Sequence, residues 1–108
     1  KKKHASHAVT ADVDIAGCAR AAEFFLADGV IVTGTETGAS VDEAELRAVR
    51  AATSLPVMTG SGADATSVRR LLAVADAVIV GSSVKQDGRW DRPVDPARAA
   101  AFVKAARG

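Results

Sequence analysis

The chain has 108 residues, a quarter of them charged and 48% apolar, with a formal net charge of +1. That length suffices for one domain with a core of its own, and the near-neutral balance excludes broad electrostatic attraction to nucleic acid. The single cysteine, Cys18, excludes an intrachain disulfide and a cysteine-based metal site. No apolar stretch approaches the ~20 residues of a membrane span, and no signal peptide stands out, so a soluble, cytoplasmic protein is expected.

The opening Lys1-Lys2-Lys3-His4-Ala5 reads as the tail of a strand already under way, followed by a polar loop to Ala11. Asp12 is the expected N-cap of a first helix, whose apolar positions Ile15, Cys18, Ala19, Ala22, Phe25 and Leu26 recur at helical spacing. Asp28-Gly29 closes that helix and leads into the strand Val30-Ile31-Val32. Such an uninterrupted β-branched run suits a strand covered on both faces of a parallel sheet.

The loop from Gly34 to Ala39 leads to Ser40-Val41-Asp42-Glu43, where serine and glutamate three residues apart predict a capping box. The helix that follows carries Ala44, Leu46 and Val49 and stops before Pro56. Then come the strand Val57-Met58 and the turn Gly60-Ser61-Gly62. Asp64 or Thr66 caps a third helix with Val68, Leu71, Leu72 and Ala75 on its apolar face. The strand Ala77-Val78-Ile79-Val80 ends in Gly81-Ser82-Ser83 and a polar loop from Lys85 to Pro93. Asp95-Pro96 places an N-cap and an N1 proline before a last helix with Ala99, Phe102, Val103 and Ala106 inward.

Four strands thus alternate with four helices, which right-handed crossovers arrange as an open doubly wound sheet or as an arc of a barrel. An open sheet usually shows a Gly-rich loop after its first strand, and here that strand ends in Lys-His. Four β/α units are half of an eightfold barrel, whose usual length is about 250 residues. An isolated arc has two unpaired edges, so either a homo-oligomer or a missing N-terminal half-barrel is expected to close the sheet.

The series Lys3-His4-Ala5, Ala27-Asp28-Gly29-Val30-Ile31-Val32-Thr33-Gly34 with Thr37-Gly38, Leu55-Pro56-Val57, Gly60-Ser61-Gly62, Ala75 to Lys85, Asp87-Gly88 and Pro93-Val94-Asp95 resembles the C-terminal half of the BtpA/SgcQ family. The resemblance runs over essentially the whole chain. It implies an α/β fold of the (β/α)8 TIM-barrel type, with this chain as strands five to eight. It also implies one of two roles. One is a factor for photosystem I biogenesis, attached to a membrane complex from outside. The other is an enzyme of sugar or nucleoside metabolism. The family's opening strand resembles Val-Lys-Val-Lys-His, whereas Lys2 stands here at an apolar position.

The residues themselves point to phosphate. A Gly-Ser-Gly turn lets several N–H groups converge because glycine tolerates the dihedrals and offers no Cβ. Gly60, Ser61 and Gly62 would form one wall of a phosphate cradle, and Gly81, Ser82 and Ser83 the other, unless both are merely tight turns. Lys85, beyond the last strand, would complement the charge. Lys3 could meet an anionic substrate or act as a base. His4 could serve as acid or base or bond a loop carbonyl. Asp87 could pair with Lys85 or hold a ribose-like diol, which completes the catalytic candidates. Thr33, Gly34, Glu36, Thr37 and Gly38 follow the middle strand and would line a substrate site, with Glu36 orienting a sugar hydroxyl. His7 is expected in solvent, and Trp90 as a lid or a subunit contact. No metal constellation, cofactor motif or Ser-His-Asp triad is expected.

Overall fold

The computed structural model describes residues 12–35 and 38–108. Helix and strand alternate along them: α1 (Ile15–Phe24), β1 (Val30–Thr33), α2 (Glu43–Ala52), β2 (Val57–Gly60), α3 (Val68–Leu72), β3 (Ala77–Ile79) and α4 (Pro96–Arg107). Two short 3-10 turns, Ser82–Val84 and Gln86–Gly88, separate β3 from α4. The strands form one parallel sheet in the order β1-β2-β3. Val30 faces Val57 and Thr33 faces Gly60 across the first pair, and Gly60 faces Ile79 across the second. The predicted opening strand lies outside the described residues, so three of the four expected strands are seen.

Alternation along the strands divides the sheet into two unlike faces. Val32, Val57 and Thr59 are buried against Leu46 and Val49 of α2, Val68 and Leu71 of α3 and Phe102 of α4. On the other face Ile31 and Ile79 remain about half exposed. The helices supply the cover expected on one of the two faces. The same β-branched run serves a sheet whose helices all lie on one side, and among the described residues nothing covers the other.

Three of the four helices begin on an aspartate, though not always the expected one, whereas α3 begins on Ser67 with Asp64 holding the turn just before it rather than capping it directly. Asp14, not Asp12, caps α1, its Oδ1 accepting from the Gly17 N–H at 2.5 Å. The Ser40/Glu43 capping box does not form. Asp42 caps α2 instead, accepting from Ala44 at 2.8 Å and Glu45 at 3.3 Å. Val41, buried just before it, anchors the entry. Glu43 is thereby freed to accept from Arg70 Nε of α3 at 2.9 Å. Asp95 caps α4 ahead of Pro96, as expected, through Ala97 N–H at 2.9 Å.

Two apolar assignments also change. At the end of α1 the Leu26 N–H donates to the Glu23 carbonyl and the Ala27 N–H to that of Ala22, both at 3.0 Å. This pattern is a Schellman turn, with Leu26 rather than glycine in the left-handed position at φ 64°. It swings Phe25 and Leu26 away from the core, leaving them 78% and 87% exposed beside Phe24 at 79%. Val103 likewise sits on the outer side of α4. At the end of the sheet where the strands start, Asp76 Oδ2 accepts from Val57 N–H at 2.9 Å and Arg50 Nη2 at 2.6 Å, clamping the starts of β2 and β3. Those bonds hold its carboxyl below the usual range, Val57 N–H first and Arg50 second.

Candidate functional site

All three strands run toward the same end of the sheet, so the turns after β1, β2 and β3 gather there. A cavity of about 490 Å³ opens among them. Its walls include Gly38 from the loop after β1, Ser61 to Asp64 after β2, Val80 to Ser83 after β3, and Gly88 and Arg98. The two Gly-Ser turns singled out from the sequence therefore border one space.

They are built differently. Ser61 occupies a left-handed conformation, φ 101°, and its hydroxyl is already committed. Its Oγ accepts from Gly34 N–H at 3.0 Å and donates to the Ala39 carbonyl at 2.7 Å, tying the turn after β2 to both ends of the loop after β1. Gly62 follows at φ 68°, and a Cβ there would lie 2.5 Å from the Ala39 carbonyl oxygen. This turn is packed from behind.

At Gly81, by contrast, an added Cβ would meet nothing. The chain beyond it winds into a 3-10 turn closed by Val84 N–H to Gly81 O at 3.2 Å and Lys85 N–H to Ser82 O at 3.1 Å. Among the described residues, the loop and cap bonds include none donated by the main-chain N–H groups of Gly62, Ala63, Ser82 or Ser83. The Ser83 hydroxyl is buried without a hydrogen-bond partner, a condition native proteins rarely leave unfilled.

Arg98 supplies the positive charge. Asp95 and Pro96 start α4, which puts Arg98 three residues past the cap, where a helical side chain leans back toward the N-terminus. Its Nη1 donates to the Ser83 carbonyl at 3.1 Å. Asp64 supplies a negative charge on the same wall. Its Oδ1 accepts from Thr66 Oγ1 at 2.7 Å, Ser67 N–H at 2.9 Å and Thr66 N–H at 3.0 Å. These bonds, with that from the Thr66 hydroxyl foremost, hold the carboxyl below its ordinary range and keep it ionised at neutral pH. A second, smaller cavity of about 210 Å³ shares Asp64, Ser83 and Arg98 and extends to Phe102.

Other residues expected at the site lie elsewhere. Gly60 sits on the open face of the sheet, where a Cβ would press on Ile31 Cγ2 at 3.1 Å. Thr33 borders a different cavity, between α1 and β1, and Gly34 is held by Ser61. The ammonium of Lys85 donates to the Trp90 carbonyl at 2.7 Å, within the loop after β3. Asp87 is exposed, in a left-handed conformation at φ 56°, and takes no part in the cavity wall. Trp90 is 73% exposed. Lys3, His4, His7, Glu36 and Thr37 lie outside the described residues. Arg98 and Asp64 are the additions. Asp64 was legible only as a cap, and the signal for Arg98 was its place three residues after Asp95.

Among the described residues no group of three metal-ligating side chains occurs, and no helix is long and apolar enough to cross a membrane. No solved structure matches the chain. An uncharacterized mitochondrial protein of Caenorhabditis elegans is 41% identical over 104 residues, 96% of this chain and 37% of that protein. The Photosystem I biogenesis protein BtpA of Synechocystis is 43% identical over 82 residues, 74% of this chain and 28% of that protein. An uncharacterized protein of Pyrococcus furiosus is 42% identical over 79 residues, 73% of this chain and 30% of that protein. The chain spans about a third of the length of these relatives. The model of the BtpA family matches residues 1–108, and the chain belongs to that family.

Proposed function

We propose that this chain is part of a (β/α)8 barrel that binds a phosphorylated or ribosyl small molecule at the carboxyl ends of β2 and β3, and that the protein is an enzyme of sugar or nucleoside metabolism. The observation that carries this reading is the meeting of Ser61–Gly62 and Gly81–Ser83 at one cavity with Arg98 in its wall. Its volume falls within the range usual for small-ligand sites. Main-chain N–H groups without internal acceptors, an orphaned serine hydroxyl and a guanidinium are donors suited to a phosphate oxyanion. Helices packed on one face only support a barrel over a doubly wound sheet, which carries helices on both. Closure then needs further strands, from elsewhere in the polypeptide or from a second copy. Lys3, His4 and Asp87 are proposed as the groups that serve the chemistry, and Glu36 as one that orients a hydroxyl of the substrate. Titration calorimetry of the intact protein with ribose 5-phosphate, a nucleoside monophosphate and inorganic phosphate tests the reading. Dissociation constants below about 1 mM are expected for the phosphorylated sugars, and indifference to all three would overturn it.

A second reading is a non-catalytic assembly factor for a membrane protein complex. The name of the Synechocystis relative favours it. So does the exposed cluster Phe24, Phe25 and Leu26, a contiguous apolar patch of the kind that marks protein contacts. Co-purification of the intact protein with membranes or a large complex would support this reading, and its release by Phe25→Ser would locate the contact.

A further inference from the structure

Opposite charges border the cavity without neutralising each other. Arg98 and Asp64 line both the larger and the smaller cavity. Yet the ion pairs among the described residues are Arg50–Asp76, Arg70–Glu43 and Arg89–Asp91, and none joins these two. Arg98 uses one donor on the Ser83 carbonyl. A guanidinium carries five N–H groups in a planar fork, so enough remain for a bidentate oxyanion. Asp64 is likewise half engaged. The hydrogen bonds to its carboxylate end on Oδ1, and Oδ2 receives none of them. An ionised carboxylate oxygen only accepts, so it repels a bare anion and favours a hydroxyl. Ser83 lines both cavities too, and its buried hydroxyl is unpartnered.

We propose that Arg98 and Asp64 form a two-ended clamp that selects a phosphorylated polyol over free phosphate, Arg98 and the Ser83 hydroxyl taking the phosphate and Asp64 Oδ2 accepting from a hydroxyl of the same ligand. The proposal rests on the phosphate reading above and narrows it. Inorganic phosphate meets one end and is repelled by the other. An unphosphorylated polyol satisfies only the carboxylate.

Calorimetry of the intact protein with glycerol 3-phosphate, inorganic phosphate and glycerol tests the clamp. Glycerol 3-phosphate is expected to bind at least tenfold more tightly than inorganic phosphate. Asp64→Asn keeps an oxygen for the Thr66 and Ser67 donors but loses the charge. It should weaken glycerol 3-phosphate at least fivefold while leaving inorganic phosphate equal or tighter. Arg98→Gln, at an exposed position, should weaken both ligands at least tenfold. A native protein that binds both ligands equally, an affinity ratio unmoved by Asp64→Asn, or binding indifferent to Arg98→Gln would each overturn the clamp and leave the phosphate reading standing. Should Asp64→Asn fail to fold, the native ratio and Arg98→Gln decide. Native protein that binds neither phosphorylated ligand overturns the phosphate reading and the clamp together.

Discussion

Replacing Ser61 with alanine isolates the hydroxyl that ties the turn after β2 to the loop after β1. Both residues carry a Cβ, so the left-handed backbone at φ 101° is equally uncomfortable in each and cancels from the comparison. Two partners are lost. The N–H of Gly34, a buried residue, is left without its acceptor, which costs about 1–3 kcal/mol. The Ala39 carbonyl loses its donor, at about 0.5–1.5 kcal/mol. Water reaching the half-buried carbonyl offsets part of this, and a loss of about 2–3 kcal/mol is expected. Ser61→Gly removes the same hydroxyl but relieves the backbone, by about 1–3 kcal/mol, less about 0.4–1 kcal/mol for the freer unfolded chain. It should therefore be more stable than Ser61→Ala by about 1 kcal/mol. Urea unfolding of the three proteins gives both differences. If Ser61→Ala unfolds at the native midpoint, the tie does not exist. If Ser61→Gly is the less stable of the two, the backbone at this turn is not strained.

Thr59 is fully buried on the helix-covered face and its hydroxyl has no partner; Thr59→Val should stabilise by about 1–2 kcal/mol in urea unfolding, and destabilisation would mean that the hydroxyl is bonded. Leu26→Gly places the residue suited to a left-handed helix end where an exposed leucine now stands, and a gain of about 0.5 kcal/mol is expected after the glycine's unfolded-state cost; a loss would show that Leu26 packs. Asp76 has its carboxyl held low in the folded state, so its contribution is present above the unfolded value near 3.9 and disappears as pH falls through the lower folded value. Asp76→Asn should accordingly reduce stability at pH 7 and lose less than the native protein between pH 5 and pH 2, whereas equal losses on acidification would contradict the role of this carboxylate.

The alternation of strands and helices was readable because β-branched runs and helical apolar spacing are local signals. Helix entries were harder. Asp12 and Asp14, or Ser40 and Asp42, are both good caps by residue type, and burial of Val41 and the close packing of Ala39 against Gly34 and Gly62 decide between the latter pair. Phe25 and Leu26 fit the inward stripe of α1 by spacing. The turn that exposes them places leucine where a glycine would have announced it. A fully apolar strand cannot say what covers each of its faces; here the helices cover one, and Ile31 and Ile79 lie on the other.

The candidate site was legible in its backbone and not in its charges. Ser61, Gly62 and Gly81 to Ser83 meet because consecutive parallel strands end side by side, a consequence of topology that turn composition signals. Lys85 drew attention by proximity in sequence, yet the hairpin-like loop from Lys85 to Val94 turns its ammonium onto the Trp90 carbonyl. Arg98 lies 15 residues from Ser83 and reaches it only because α4 packs back on the end of β3. Its place three residues after Asp95 marks it as a first-turn residue of α4, but the contact itself depends on tertiary packing.

Amide chemical-shift mapping of the intact protein during titration with ribose 5-phosphate tests the central claim most directly, because it reports which main-chain N–H groups face the ligand. Saturable shifts confined to Gly62, Ala63 and Gly81 to Ser83, with the Arg98 Nε resonance moving in step, are the result expected. Shifts restricted to the Lys85–Arg92 loop, or none at millimolar ligand, would contradict it.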